Sequence, residues 1–271
     1  MPARARERSK SAARSPRVAT SCSSWPTSDH TVLYTTILFD LDHTLLDSHA
    51  SEAAAFDVTM RSVGIDPTPE VFAAYQGLNQ ALWRQVEAGE LSPNDVKVLR
   101  FEQLLERVGA RADPVEMGAT FVGGLADHGE LYDGASQLLA DLAVSCRLAL
   151  ITNGIGQVQR GRLDRLGLAD VFEVVSISGE MGTSKPGRAI FDATLDALGI
   201  DDRSSVVMIG DSLSSDIQGG INAGVDTIWF NPFDDVRADG VAPTHTISEL
   251  GAVPGIVVDV EPTRRQGFDV S

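Results

Sequence analysis

Three aspartates lie within the stretch FDLDHTLLD, residues 39–47, directly after the apolar segment TTIL. Asp40 and Asp42 are two residues apart, and side chains at this spacing point to the same side of an extended chain. Asp40 can attack phosphorus to form an aspartyl-phosphate, which divides one difficult displacement into two steps. Asp42 can then protonate the leaving-group oxygen and later deprotonate the water that cleaves the intermediate. The spacing therefore predicts a nucleophile and an acid–base group that act on one substrate.

Two more aspartates, Asp211 and Asp216, follow the apolar segment SSVVMIG. Together with Asp40 they offer only oxygen ligands, and this set favours a hard cation, Mg²⁺ more than Ca²⁺ when a phosphate adds ligands. A cation would also relieve the repulsion by which neighbouring carboxylates raise one another's pKa. The alternative is that Asp211 and Asp216 cap the helix that follows them. The other polar clusters expected at the same edge favour the metal site.

Lys185 and the residues Thr152, Asn153 and Gly154 are predicted to bind the phosphoryl group. The lysine would supply a fixed positive charge, while the threonine hydroxyl and the backbone amides of Asn153 and Gly154 would donate hydrogen bonds. Donors aimed at developing charge contribute on the order of 3–4 kcal/mol each in comparable sites. A solvated loop lysine and a turn threonine are the alternatives, and Pro186 disfavours the first because it fixes the loop.

The segments that must position these residues alternate between strand and helix after residue 129. Near-continuous apolar strands separated by amphipathic helices predict an α/β fold with a doubly wound parallel sheet. Ligands bind such sheets outside the carboxyl ends of the strands. Each polar cluster follows a different predicted strand, so all of them are expected at one edge of the sheet.

The region between the first strand and this alternating part reads as four successive helices, separated by breaks that contain glycine and proline. It is therefore predicted to be an inserted helical cap. The predicted organisation has four parts: a disordered basic tail at 1–30, a core at 31–48 and 129–258, the cap at 49–128, and a loose end at 259–271.

The amino-acid composition limits the classes of molecule that the protein is expected to bind. The chain has 271 residues, of which 43% are hydrophobic and 22% charged, as in ordinary globular proteins. Its net charge is −16, and because residues 1–30 carry +4, the remainder carries −20. This negative charge repels nucleic-acid polymers. No apolar run reaches the roughly 18 residues that a membrane span needs. Cys22 and Cys146 fit neither a disulfide framework nor a metal motif, which predicts a cytoplasmic setting.

Four motifs of this chain resemble, in order and spacing, those of the haloacid dehalogenase-like hydrolase superfamily. FDLDHTLLD is similar to the first motif of that superfamily, D-x-D-x-T. The other three are ITNG with Thr152, SKPGRAIF with Lys185, and GDSLSSD with Asp211 and Asp216. The resemblance covers roughly residues 35–250.

This resemblance implies a Rossmann-like core with a helical cap inserted between the first and second motifs. It also implies Mg²⁺ bound by the side chains of Asp40 and Asp211 and by the backbone carbonyl of Asp42, with Asp216 completing the site through water. The namesake dehalogenases lack the second aspartate of the first motif. Asp42 therefore favours a phosphatase that acts on a small phosphorylated metabolite.

Residues 151–199 look most like pyrimidine and non-canonical 5′-nucleotidases, so a nucleoside 5′-monophosphate is the expected substrate. Phosphoglycolate, sugar-phosphate and N-acylneuraminate-9-phosphate phosphatases share much of the pattern and remain alternatives. A phosphomutase is a further alternative, since an aspartyl-phosphate can be passed to a sugar. A catalytically silent binding protein is disfavoured because every charged motif residue is present. The expected assembly is a monomer or a homodimer.

The cap is expected to select the substrate by closing over the site. At helical spacing, its aromatic residues are expected mostly in the core of the bundle rather than against a base. They are Phe56, Phe72, Tyr75, Trp83 and Phe101. His43, between the two catalytic aspartates and Thr44, is expected to have a local partner rather than to touch substrate.

Overall fold

The fold was analysed in a computed structural model, which describes residues 31–236 and 240–259. The predicted basic tail, residues 1–30, lies outside these ranges, as does the predicted loose end from residue 260 onward. The strands in the described ranges are β1 (Thr31–Val32), β2 (Thr36–Phe39), β3 (Leu46–Asp47), β4 (Glu130–Leu131), β5 (Arg147–Thr152), β6 (Val174–Ile177), β7 (Val206–Gly210), β8 (Asp226–Phe230), β9 (His245–Ile247) and β10 (Val258–Asp259).

Helices precede or follow most of these strands. The α-helices in the described ranges are α1 (Ser48–Ser62), α2 (Pro69–Glu87), α3 (Pro93–Val108), α4 (Pro114–Asp127), α5 (Ala135–Leu142), α6 (Gly156–Arg165), α7 (Ser178–Met181), α8 (Arg188–Leu198), α9 (Gln218–Ala223) and α10 (Pro254–Val257). A turn of π-helix at Leu213–Ile217 leads into α9, and a 3₁₀ turn lies at Leu250–Ala252. In these described residues no helix is both long and apolar enough to cross a membrane.

Six strands form one parallel sheet in the order β6-β5-β2-β7-β8-β9. The chain moves from β2 outward through β5 and β6 on one side, and then through β7, β8 and β9 on the other. The strand order therefore reverses at β2, and this is the place where open α/β sheets bind their ligands. The predicted doubly wound parallel sheet is confirmed.

Both faces of the sheet are buried, which explains why its strands are apolar at nearly every position. Along β2, Ile37 and Phe39 pack into one apolar cluster, whereas Leu38 packs into another on the opposite face. In β7, Ile209 packs into the first of these clusters and Met208 into the second. Alternate side chains of one strand point to opposite faces, so two helical layers cover the sheet.

Helices α1 to α4 form the cap, and each begins where a side chain accepts a hydrogen bond from a backbone amide of its first turn. The capping residues are Asp47, Thr68, Ser92 and Asp113. The last three stand directly before a proline, which suits the first helical position because its missing amide has no partner there anyway. These local signals fix where each cap helix starts.

The interior of the cap is aromatic. Phe56, Tyr75 and Phe101 are buried with Phe121, and neighbouring rings in this group lie 4.8–6.1 Å apart between centroids. Four other apolar side chains of α2 are partly buried against this cluster, namely Val71, Phe72, Ala74 and Leu78. The expectation that these rings form the bundle core is confirmed for Phe56, Tyr75 and Phe101.

The cap is joined to the core by two short strands. Leu46 pairs with Leu131, and Asp47 pairs with Glu130, in an antiparallel ladder between β3 and β4. The chain therefore leaves the core and returns to it at adjacent points. Asp47 also caps α1 by accepting a hydrogen bond from the amide of His49 at 3.1 Å.

Candidate active site

Asp40 follows β2, the strand at which the sheet order reverses, and is 5% exposed. Its amide donates to the carbonyl of Ile209 in β7 at 2.9 Å, which continues the ladder of the sheet one residue beyond β2. Since β5 and β7 run parallel to β2 on either side, their carboxyl ends bring Thr152 and Asp211 to the same edge. The parallel sheet alone explains this convergence.

Lys185 lies at the centre of the carboxylate group. Its Nζ is 2.5 Å from Oδ1 of Asp40 and 2.6 Å from Oδ1 of Asp216, and it donates to the carbonyl of Ile151 at 2.8 Å. Burial opposes its charge, but Asp216 and Asp40 outweigh that effect and raise the pKa of Lys185 above its ordinary value. The lysine is therefore a permanent buried cation rather than the solvated loop lysine of the alternative reading.

Asp40, Asp211 and Asp216 present carboxylate oxygens that lie within 4.8 Å of one another. Burial raises the pKa of the Asp40 carboxyl to about 7, although Lys185 opposes the rise. Burial and the charges of Asp216 and Asp40 likewise raise the pKa of Asp211 well above its ordinary value. Three clustered carboxylates that a single lysine does not balance fit a hard divalent cation such as Mg²⁺.

Neighbouring hydrogen bonds hold these aspartates in place. Thr44 Oγ1 accepts from the amide of Asp211 at 3.0 Å and lies 3.4 Å from both Asp40 Oδ2 and Asp211 Oδ1. The indole of Trp229 donates to the carbonyl of Asp211 at 2.8 Å. Asp216 Oδ2 accepts from the amide of Ser212 at 3.0 Å. The loop after β7 is thereby tied to the first motif.

The Asp42 carboxylate contacts three polar side chains, one from α1 and two from α6. Ser48 donates to its Oδ1, Arg162 Nη1 lies 2.5 Å from the same oxygen, and Gln159 Nε2 donates to Oδ2 at 2.6 Å. Burial by itself would raise the pKa of Asp42, but Arg162, Ser48 and Gln159 together hold it below its ordinary value. Asp42 is thus stabilised as a carboxylate in this arrangement.

Gln159 and Arg162 are not among the site residues predicted from the sequence; they lie on α6 and are 1% and 3% exposed. They are three residues apart, and therefore on one face of the helix, with the buried Val158 and Leu163 beside them. Two long polar side chains on the apolar face of a helix are the signal that could have indicated a buried site.

Thr152, which ends β5, and Asn153, which follows it, form side-chain hydrogen bonds within the protein. Thr152 is fully buried, and its Oγ1 accepts from Gln159 at 2.7 Å. The Asn153 side chain donates to the carbonyl of Lys185 and accepts from its amide, both at 2.9 Å. This pair of bonds holds the lysine loop against the end of β5. The binding of phosphate by Thr152 and by the amide of Asn153 stays a prediction.

The amide of Gly154, which was expected to face the phosphate, donates to Oγ of Ser178 at 3.0 Å, and its role toward phosphate stays a prediction. The carbonyl of Gly154 in turn accepts from the amide of Gly179 at 3.1 Å. These two bonds tie the loop after β5 to the first turn of α7, so in this structure the amide of Gly154 is occupied by the protein itself.

His43 has an unusual backbone for a non-glycine residue, with φ at 60°. Its ring lies 4.3 Å from that of His49, which is the local partner that the sequence analysis expected. Its Nδ1, however, is buried and has no hydrogen-bond partner within the described residues. Burial lowers the pKa of His43, although Asp42 opposes this effect. Both histidines border the cavity between the edge of the sheet and the cap.

A cavity of about 550 Å³ lies between the sheet edge and the cap. This volume is within the roughly 300–1,000 Å³ of small-molecule sites. Core residues that border it include Asp40, Asp42, Asn153, Lys185, Asp211 and Asp216. Cap residues that border it include Glu52, Gln76, Asn79, Gln80, Trp83 and Arg100. Trp83 borders the cavity and also packs against the apolar cluster of Leu82, Val86 and Val96 in the cap.

The model of the haloacid dehalogenase-like hydrolase family matches residues 37–230, which is more than half of the chain. The chain belongs to this family. Two relatives each align with about four fifths of this chain. Pyrimidine 5′-nucleotidase YjjG of Escherichia coli K12 is 37% identical over 216 residues, which are 79% of this chain and 93% of that protein. Pyrimidine 5′-nucleotidase PynA of Streptococcus pneumoniae R6 is 35% identical over 217 residues, 80% and 92% of the two chains.

A solved structure supports the same assignment. The crystal structure of the HAD-hydrolase YfnB from Bacillus subtilis, bound to magnesium, superposes with a TM-score of 0.77 at 33% identity and covers 83% of this chain and 98% of its own. Proteins of this family generally use Mg²⁺. The expected family, the Rossmann-like fold and the assignment as a hydrolase are therefore confirmed.

Proposed function

We propose that this chain is a Mg²⁺-dependent phosphomonoesterase that acts on nucleoside 5′-monophosphates through an aspartyl-phosphate intermediate. One observation carries the proposal. A single cavity is bordered by Asp40, by Asp42 two residues later, by Lys185, and by the carboxylates of Asp211 and Asp216. This set contains a nucleophile, a proton-transfer group and a buried cation.

In the first step, Asp40 attacks the phosphorus and the ester oxygen leaves with a proton from Asp42. Lys185 is 2.5 Å from Asp40, so its charge also reaches the phosphoryl oxygens of a substrate placed for attack. When bound by Asp40, Asp211 and Asp216, Mg²⁺ would withdraw negative charge from those oxygens. The remaining carbonyl ligand expected from Asp42 stays part of the proposal.

In the second step, Asp42 accepts a proton from the water that attacks the aspartyl-phosphate and releases inorganic phosphate. The contacts with Arg162, Gln159 and Ser48 stabilise the ionised form that this step requires. Asp42 must be protonated for the first step and ionised for the second, so these contacts favour the second.

The substrate class is inferred from the relatives and the cavity. Both curated relatives described above are pyrimidine 5′-nucleotidases by name, and pyrimidine nucleotides are therefore the first candidates. The cap side of the cavity carries the amide side chains of Gln76, Asn79 and Gln80 and the indole of Trp83, which suits a nucleoside rather than a small acid. The family fold itself leaves other phosphate esters open.

The direct experiment measures inorganic phosphate released from a panel of phosphorylated metabolites, with and without Mg²⁺. The panel includes uridine, thymidine, cytidine and adenosine 5′-monophosphates, phosphoglycolate and sugar phosphates. We expect release from nucleoside monophosphates only when Mg²⁺ is present. Activity confined to phosphoglycolate or sugar phosphates would refute the nucleotidase assignment, while an isomerised product without free phosphate would indicate a mutase.

A further inference from the structure

A polar cluster lies inside the cap on the wall of the same cavity. Glu52 of α1 accepts two hydrogen bonds at Oε1, from the Tyr75 hydroxyl at 3.1 Å and from Nδ2 of Asn79 at 2.8 Å. The same hydroxyl accepts from Nη1 of Arg100 on α3 at 3.2 Å. Three cap helices therefore each contribute to one connected group.

Two atoms of this cluster have no partner within the described residues. They are Oδ1 of Asn79 and Nη2 of Arg100, and both are buried. A buried polar atom without a hydrogen bond costs about 1–3 kcal/mol, more when it is charged. Both residues border the cavity, so a ligand that enters it can supply the missing partners.

Arg100 is an unusual cation for the interior of a cap. It is 2% exposed, its Nε donates to the carbonyl of Val96 at 2.9 Å, and its guanidinium lies 5.1 Å from the centroid of the Phe121 ring. The other two buried cations at this cavity, Lys185 and Arg162, form ion pairs with aspartates. Arg100 forms none within the ranges that the structure describes.

The neighbouring oxygens determine which ligand this cation suits. A phosphate or carboxylate bound by Arg100 would also approach the carboxylate of Glu52 and the free carbonyl oxygen of Asn79, both of which repel an anion. The hydrogen bond from Nδ2 to Glu52 fixes the amide of Asn79 with Oδ1 as its free atom. The cluster therefore offers one acceptor and one donor to a neutral ligand.

We propose that Asn79 and Arg100 bind the imide edge of a uracil-type base, with the ring N–H donating to Asn79 Oδ1 and an adjacent ring carbonyl accepting from Arg100 Nη2. The proposal rests on the proposed function, because it assigns the base of the nucleotide whose phosphate meets Asp40. Glu52 and Tyr75 are positioning residues, since they orient the two side chains that touch the base. Trp83 borders the same cavity and offers a ring face.

The decisive probe is a ligand change that needs no mutation. Uridine 5′-monophosphate methylated at N3 lacks the imide N–H and is otherwise the same ester. We expect the KM of the wild-type protein to be at least tenfold higher for the methylated nucleotide, with kcat changed less than threefold. Equal KM values for the two nucleotides would overturn the proposal.

Two variants assign the contact to residues. Asn79→Leu should raise the KM for uridine 5′-monophosphate about tenfold and should abolish the effect of N3-methylation. Arg100→Met should raise the KM for both nucleotides alike. Arg107→Met, an exposed arginine on the same helix, is the matched control and should change neither value. Hydrolysis of p-nitrophenyl phosphate, which has no imide, should fall much less than nucleotide hydrolysis in Asn79→Leu and Arg100→Met and should stay within twofold in Arg107→Met.

The alternatives give different results. If Asn79→Leu lowers p-nitrophenyl phosphate and nucleotide hydrolysis equally, the cluster only stabilises the cap and the proposal is wrong. If the wild-type protein hydrolyses neither ester in Mg²⁺, the proposed function fails. Calorimetric titration with the two nucleotides then still tests the base contact, because weaker binding of the methylated nucleotide would support it and equal binding would contradict it.

Discussion

Arg162 connects Asp42 to the cap. Its Nη1 contacts Asp42, its Nη2 donates to Oγ of Ser51 at 3.1 Å, and its Nε donates to the carbonyl of Leu125 at 3.0 Å. Ser51 lies on α1 and Leu125 on α4. One guanidinium thus bridges core and cap, and the contacts of Asp42 depend on where the cap lies.

Replacing Arg162 with glutamine should change how the rate depends on pH. Arg162 helps to hold the pKa of Asp42 below its ordinary value, so its removal raises that pKa. Ionised Asp42, which the second step needs, then forms only at higher pH. We expect the acidic limb of the kcat profile to move to higher pH, with a loss in kcat below the roughly 10²–10⁴-fold that a proton-transfer group contributes.

Arg165→Gln is the control for this measurement. Arg165 lies on the same helix and donates to the cap-side carbonyls of Ala126 and His128, at 3.1 and 3.0 Å, without contacting Asp42. It should leave the acidic limb in place. An equal displacement in both variants would show that cap attachment, rather than the charge next to Asp42, sets the profile.

At the scale of elements, the parallel sheet made the main cluster predictable. Asp40 and Asp211 each follow an apolar strand, and parallel strands bring such residues to one edge whatever the loops do. Lys185 and Asp216 lie in the loops or first turns beyond such strands, and the structure brings them to the same edge.

Contacts that depend on how helices pack could not be read from the sequence. Glu52, Asn79 and Arg100 lie on three different cap helices, and their proximity follows from crossing angles that periodicity does not specify. Gln159 reaches Asp42 across 117 positions of sequence. Nor does anything in the sequence show that α7 places Ser178 beside the amide of Gly154.

The packing of α1 on α4 gives a prediction at this scale. A Cβ added at Gly124 would lie 2.9 Å from both Cα and Cβ of Ala55, whereas one added at the adjacent Gly123 meets nothing within 4 Å. Gly124→Ala should therefore lower the free energy of unfolding by about 1–3 kcal/mol through overpacking. Gly123→Ala should be neutral or stabilising by up to about 1 kcal/mol.

Denaturant unfolding of both glycine variants, followed by circular dichroism, measures the difference. Since α1 also carries Ser48 and Ser51, we expect Gly124→Ala to lower kcat as well. Equal stabilities for the two variants would mean that the helices separate without cost, contrary to the close approach at Ala55.

For the whole molecule, the main electrostatic feature is the net charge of −20 on the residues after position 30. Part of it is the group of three carboxylates at the candidate active site. Without a metal, the pKa of Asp40 is about 7 in the folded state against an ordinary 3.8. The folded state then binds more protons than the unfolded chain between these values, so stability falls as pH rises through that range. If the ionised carboxylates bind Mg²⁺ as proposed, the metal should reverse this loss.

We therefore expect Mg²⁺ to raise the Tm more at pH 8 than at pH 5.5. At 100 times its Kd, a ligand adds about 2.7 kcal/mol of stability, which is several degrees for a chain of this size at about 2–4 °C per kcal/mol. Asp211→Asn should remove most of the gain. A Tm increase that is the same at both pH values, or unchanged in Asp211→Asn, would place the metal elsewhere.

The central claim is that Asp40 is the nucleophile of a Mg²⁺-dependent phosphatase. Its most direct test is the rate of phosphate release from uridine 5′-monophosphate at saturating Mg²⁺ by Asp40→Asn. Asp47→Asn is the matched control, because asparagine caps a helix as well as aspartate does. We expect Asp40→Asn to lose at least about 10³-fold in kcat and Asp47→Asn to keep the wild-type rate. Release by Asp40→Asn within tenfold of the wild-type rate would contradict the claim.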